Sequence, residues 1–119
     1  MKYLCLVYGE EQAIAAMTDD SCMAFDQRIR DAGQCVASEA LQPVSTAKTV
    51  RVRNGTVHVT DGPFAETKEI LAGFYLIDAA GMGEAVELAA QIPPARAGSI
   101  EVRPIRELQS TTGQCRSVG

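Results

Sequence analysis

Lys2-Tyr3-Leu4-Cys5-Leu6-Val7-Tyr8 opens the chain as an alternating run with no polar side. Tyr3, Cys5 and Val7 fall on one alternation and Leu4, Leu6 and Tyr8 on the other. A strand with one face in water alternates apolar with polar, so this run predicts a central strand buried on both faces. Residues 71–77 repeat the pattern, interrupted only at Ala72-Gly73, and predict a second such strand.

Working outward, residues 10–17 are Ala-rich and suit a short helical turn. Thr18-Asp19-Asp20-Ser21 then supplies cap candidates and acidic residues where a helix N-terminus favours them. Cys22, Phe25, Ile29 and Ala32 recur at helical spacing, with Asp26, Arg28, Arg30 and Asp31 opposite and Gly33 as a stop. Residues 35–41 read as a second strand ended by Pro43. Residues 83–92 predict another helix with Met82, Val86, Ala89 and Ala90 as its buried stripe, terminated by Pro93-Pro94. Residues 99–105 set Ile100 and Val102 against Glu101 and Arg103, the pattern of an edge strand.

The sharpest local signal is Val50-Arg51-Val52-Arg53, then Asn54-Gly55, then Thr56-Val57-His58-Val59-Thr60. Two alternating runs around Asn-Gly predict a two-residue hairpin, because both turn residues must take positive φ. The register follows: Val52 faces Val57, Val50 faces Val59, and Arg51 faces His58 on the opposite side. The full order is strand, helix, strand, hairpin, loop, strand, helix, strand. Two strand–helix–strand units with doubly buried first strands predict an α+β, ferredoxin-like plan, a four-stranded antiparallel sheet with both helices on one face. Helices cover only one face, yet both central strands are apolar on both. A homodimer through the open sheet face is therefore expected.

At 119 residues the chain suits one domain, read as residues 1–106 with a polar tail over 107–119 expected to be flexible or a contact arm. A net charge of -4 argues against nucleic acid, whose phosphates call for surplus Lys and Arg. No run approaches the ~18 apolar residues of a membrane span. The apolar opening stops at Gly9-Glu10-Glu11, shorter than the core of a signal peptide, which suits a cytoplasmic protein. The four cysteines, Cys5, Cys22, Cys35 and Cys115, contain no CxxC pair. The first three sit in apolar-patterned segments and read as reduced thiols, with Cys115 exposed in the tail. Neither a metal nor a cofactor is expected, since one His and scattered Cys make no ligand set.

Chemistry, if the chain performs any, concentrates in Asp61-Gly62-Pro63-Phe64-Ala65-Glu66-Thr67-Lys68-Glu69. Gly62 permits positive φ, Pro63 fixes φ, and Phe64 suits an anchor into the core. Asp61, Glu66, Lys68 and Glu69 are the candidate catalytic groups, because crowded carboxylates shift one another's pKa and suit acid–base work or a ligand amine. Glu39, Arg53, Thr67, Tyr75 and Arg96 are candidate ligand-binding residues: the arginines for an anion, Glu39 from a neighbouring strand, Tyr75 as a hydroxyl donor if it lies on the dimer side. The bland alternative makes Asp61 a turn former and the Glu/Lys series a solvated connector.

That nine-residue run, followed by Gly73-Phe74-Tyr75, resembles the DGPF branch of the YCII-related family. So do Met1-Lys2-Tyr3, the run from Thr49 to Gly55, and Ile100-Glu101-Val102-Arg103-Pro104. The resemblance implies a ferredoxin-like dimeric α+β barrel with an inserted β-hairpin, in a bacterial cytosolic protein of a family with no settled activity. It also implies a His–Asp site in a cleft between the sheet and the partner subunit, and a regulatory setting beside alternative sigma factors. This chain departs from the pattern. It has no early His, its only one is His58 in the hairpin, and Ile92 stands where many of the branch carry a His. His58 opposite Arg51 reads as a surface residue. Two functions follow: a small-molecule binder or enzyme with an acid–base cleft at the dimer interface, or a non-catalytic regulatory or adaptor dimer.

Overall fold

In a computed structural model, the described residues are 1–109 and, for the main chain alone, 115–116. The two doubly apolar runs form β1 (Lys2–Gly9) and β5 (Ile70–Asp78), which pair antiparallel at the centre of a four-stranded sheet. β2 (Cys35–Ala40) flanks β5 and β6 (Ser99–Pro104) flanks β1, giving the order β2-β5-β1-β6 with every pairing antiparallel. That order is the one two interlocked strand–helix–strand units produce. The mixed α+β architecture with an antiparallel sheet is compatible with the expected ferredoxin-like plan.

The helices are α1 (Glu11–Ala16), α2 (Asp19–Asp31) and α3 (Met82–Ala89). α2 has Asp19 and Asp20 in its first turn and Arg28 and Arg30 in its last, so both ends complement the helix dipole. Phe25 and Ile29 of α2 and Ala85, Leu88 and Ala89 of α3 pack with Tyr3, Cys5, Val7, Tyr75, Ile77 and Ile92 into one core. The helix-facing side of the sheet is thus the Tyr3–Cys5–Val7 alternation. On the other side Leu4, Leu6, Tyr8 and Phe74 are half-buried, edged by the exposed Glu39, Glu101 and Arg103.

Two expectations about packing are corrected. In α3, Met82 and Val86 are exposed at 40% and 51% and Ala90 just past its end is exposed too; the buried stripe is Ala85, Leu88 and Ala89, continued by Ile92 beyond the helix. These lie at i, i+3, i+4 and i+7, and Ala85, completely buried, lets the helix approach the sheet where a larger residue would hold it off. Phe64 is no anchor. It is 80% exposed.

The hairpin consists of β3 (Lys48–Arg53) and β4 (Thr56–Asp61), joined by Asn54 at φ 52° and Gly55 at φ 75°. Its register is the expected one, Val52 to Val57, Val50 to Val59 and Arg51 to His58. Apart from Thr49, every residue of both strands is exposed, so the ribbon is an arm and not a layer of the core. Its base is tied by Gly62 N–H to the Ala47 carbonyl at 2.8 Å and Thr49 Oγ1 to the Gly62 carbonyl at 2.9 Å. In the tail, β7 (Leu108–Gln109) pairs with β8 (Cys115–Arg116). The rest of the expected tail, and the side chain of Cys115, lie outside the described residues.

Candidate functional site

A cleft of about 480 Å³ opens between α1, α2 and the β2–β5 half of the sheet. Val7, Ile14, Met17 and Met23 supply apolar wall, while Asp19, Cys22, Asp26, Ser38 and Tyr75 bring polar atoms to its lining. No Lys, Arg or His lines it. The helix geometry explains the cluster. Asp26 lies four residues from both Cys22 and Arg30, on the margin of the α2 stripe that turns toward β2. Ser38 sits opposite Tyr75 in the β2–β5 pairing, on the helix-facing side.

Arg30 Nε donates to Asp26 Oδ2 at 2.7 Å, and Arg30 Nη2 donates to Ser38 Oγ at 3.1 Å. Ser38 Oγ in turn donates to Asp26 Oδ1. Burial pulls the Asp26 carboxyl upward, but the hydrogen bonds from Ser38 and Arg30 and the Arg30 charge outweigh it and leave it below its ordinary value. Asp26 is therefore an anion near neutral pH and a weak base. It suits holding a ligand's donor better than removing a proton.

Tyr75 packs edge-on against Phe25 with ring centroids 5.4 Å apart, which fixes it on the helix side of the sheet and not on the open face. Burial first, then the neighbouring Cys22, Asp26 and Cys35, push its phenol up to about 12. It stays a neutral donor. Burial likewise raises the Cys22 thiol, and Cys5, in the core, is pushed up to about 11. Neither is a ready thiolate nucleophile. Cys5, Cys22 and Cys35 are free thiols, in keeping with the reading of the first three cysteines as reduced.

The loop candidates are not gathered into one cavity. Asp61 pairs with Lys48 across the base of the arm, and Lys68 Nζ lies 3.5 Å from Glu10 Oε1. Thr67 Oγ1 donates to the Glu69 carbonyl at 2.6 Å, and Ser99 Oγ donates to Glu69 Oε1 at 2.8 Å. Glu66 is exposed. Thr67 and Glu69 nevertheless border a second depression of about 420 Å³ with Tyr8, Ser99, Ile100 and Glu101. Of the remaining candidates, Tyr75 and Glu39 line the α2 cleft, Glu39 beside Ser38 on β2. Arg53 is exposed at the hairpin end, donating to the Val52 carbonyl at 3.0 Å, and Arg96 is exposed in a single 3-10 turn, Pro93–Arg96. His58 is exposed on the arm, and Ile92 is 2% exposed in the core.

Nothing in the sequence marks Asp26 or Ser38 as a site residue. Asp26 read as one of four charges on a solvated helix face, and Ser38 as a strand residue without a motif. The available signal was the i, i+4 relation of Asp26 to a stripe residue, Cys22, and to Arg30.

The fold is that of an α+β protein, compatible with the ferredoxin-like plan, with a cleft of about 480 Å³ between its helices and its sheet. The chain belongs to the YCII-related family: the YCII-related domain matches residues 1–109. A relative from Rhizobium meliloti (strain 1021), itself an uncharacterized protein, is 40% identical over 114 residues, covering 88% of this chain and 92% of its own. Among the described residues, no group of three or more His, Cys, Asp or Glu side chains could hold a metal, and no helix is long and apolar enough to cross a membrane.

Proposed function

We propose that the chain binds a small organic molecule, with an apolar body and a cationic or hydrogen-bond-donating head, in the cleft beside α2. The observation that carries this reading is a half-buried carboxylate, Asp26, held by Arg30 and Ser38 on the wall of an otherwise largely apolar hollow of about 480 Å³. Small-molecule sites usually occupy about 300–1,000 Å³ and combine apolar walls with few polar groups. The Asp26–Ser38–Arg30 network holds those groups in place before a ligand arrives, and the Tyr75 hydroxyl is a second donor nearby.

A second reading keeps the site at the 61–69 loop. It is favoured by the depression at Thr67 and Glu69, which opens beside Tyr8 on the side of the sheet away from the core. In a homodimer joined through that face, a second copy would roof the depression. The two readings separate in one titration. Benzylamine and the neutral isostere benzyl alcohol are added to the full chain while backbone amide shifts are followed. The cleft reading expects benzylamine to move Cys22, Asp26, Ser38 and Tyr75, and Asp26→Asn to weaken binding at least tenfold. Shifts confined to Tyr8, Thr67, Glu69 and Ser99 would transfer the site to the loop. No shifts with any organic cation tried would remove the ligand-binding reading.

A further inference from the structure

We infer that the ligand of the α2 cleft carries a neutral amide head, whose N–H donates to Asp26 and whose carbonyl accepts from the Tyr75 hydroxyl. The inference rests on the cleft reading and narrows it, selecting an uncharged head over a cationic one. Tyr75 is the observation that calls for an acceptor. Its side chain lines the cleft and is only 9% exposed, yet its hydroxyl has no hydrogen-bond partner among the described residues. Among those residues every fully buried side-chain oxygen or nitrogen is partnered, so this hydroxyl is not sealed in the core and opens onto the cleft. The ring is fixed edge-on against Phe25 at 5.4 Å, so its hydroxyl gives up little freedom on taking a partner. A ligand that brings an acceptor satisfies a nearly buried donor, and one that lacks it strips that donor of water for nothing.

Asp26 sets the other half of the head. An ionised carboxylate offers about four acceptor sites. Arg30 Nε takes one on Oδ2 at 2.7 Å, Ser38 takes one on Oδ1, and the Cys35 thiol makes a long contact of 4.0 Å to Oδ1. Room for one further donor remains, and Arg30 already balances the charge. An ammonium would bring a full charge and three donors to that single opening, at the expense of its own hydration. An amide N–H fits it with far less to desolvate. Asp19 and Glu39 also line the cleft, but both are exposed, where water and salt screen them. The same three carboxylates exclude an anionic acceptor beside Tyr75. A primary amide or a lactam presents N–H and C=O side by side on one edge and matches both walls.

The test titrates the full chain and its Tyr75→Phe variant with benzamide, benzylamine, acetophenone and benzoate, following backbone amide shifts. Tyr75→Phe keeps the ring and removes a hydroxyl that no protein group holds, so its circular dichroism should match wild type. Benzamide is expected to move Cys22, Asp26, Ser38 and residue 75, and to bind about threefold or more tighter than benzylamine, which has no acceptor. Acetophenone, of the same shape without the N–H, should bind about threefold or more weaker than benzamide, and benzoate should leave the cleft unmoved. Tyr75→Phe should weaken benzamide about threefold or more while leaving benzylamine unchanged, a split that a merely structural role would not produce. Benzylamine binding the cleft as tightly as benzamide, or benzamide binding Tyr75→Phe as tightly as wild type, would overturn the amide head and leave the cleft reading standing. Cleft resonances that none of the four compounds moves would overturn both.

Discussion

Gly98 is where a single atom decides local structure. A Cβ built there would lie 2.1 Å from the Tyr8 carbonyl oxygen and 3.0 Å from Gly9 Cα, both main-chain atoms with no side chain to move aside. Gly98→Ala is expected to lower stability by about 2 kcal/mol or more in chemical denaturation, because β1 or the 93–98 turn must shift. Titration gives two further residue-level expectations. Tyr75 is raised from its ordinary 10 to about 12, so its contribution is complete below pH 10 and is lost as pH climbs toward 12. Tyr75→Phe should flatten the stability profile over that window in urea melts. Asp26 runs the other way: its lowered pKa gives stability that is present above the ordinary carboxylate range and lost as pH falls below it. Asp26→Asn should be destabilising near neutrality and remove part of the acid-induced loss.

Among the elements, α3 and the hairpin separate hydrophobic content from hydrophobic position. Val86 is the larger residue, yet it is 51% exposed while Ala85 is completely buried. Ala85→Leu is expected to cost about 1–3 kcal/mol by overpacking, whereas Val86→Ser should stay within about 0.5 kcal/mol, both read from thermal or urea unfolding. The hairpin behaves in the opposite sense to its legibility. Its turn, register and pairing follow from Asn54-Gly55 and period-two alternation, local signals that need no partner. Its valines point to a buried face, and the arm gives them none. Gly55→Val, at φ 75°, should therefore abolish amide exchange protection over residues 48–61 while leaving the midpoint of global unfolding nearly unchanged.

For the whole molecule, the open face of the sheet dominates. α2 and α3 pack on the Tyr3–Cys5–Val7 side, which leaves Leu4, Leu6, Tyr8 and Phe74 half-buried on the other side. These helices lie on one side of the four-stranded sheet, and the chain is 20 Å across its thinnest dimension. A third layer supplied by a second copy is the expectation, measured as a light-scattering mass of twice the chain's 12.7 kDa. Dilution should then lower apparent stability, since mass action couples dimerisation to folding.

The order of elements, the central place of residues 2–8 and 71–77, and the hairpin register are all legible in spacing along the chain. Family membership was equally legible in the run from Asp61 to Glu69. The site was not. Asp26 and Ser38 are twelve residues apart, and only the packing of α2 against β2 brings them into hydrogen-bonding contact. Tyr75 and Phe74 were interchangeable until the core selected Tyr75 for the helix side. The loop's charged residues were adjacent in sequence, and the fold separated them, because Lys48, Glu10 and Ser99 each draw one away. Alternation tells which residues share a face. Only tertiary structure decides which face is covered, and by what.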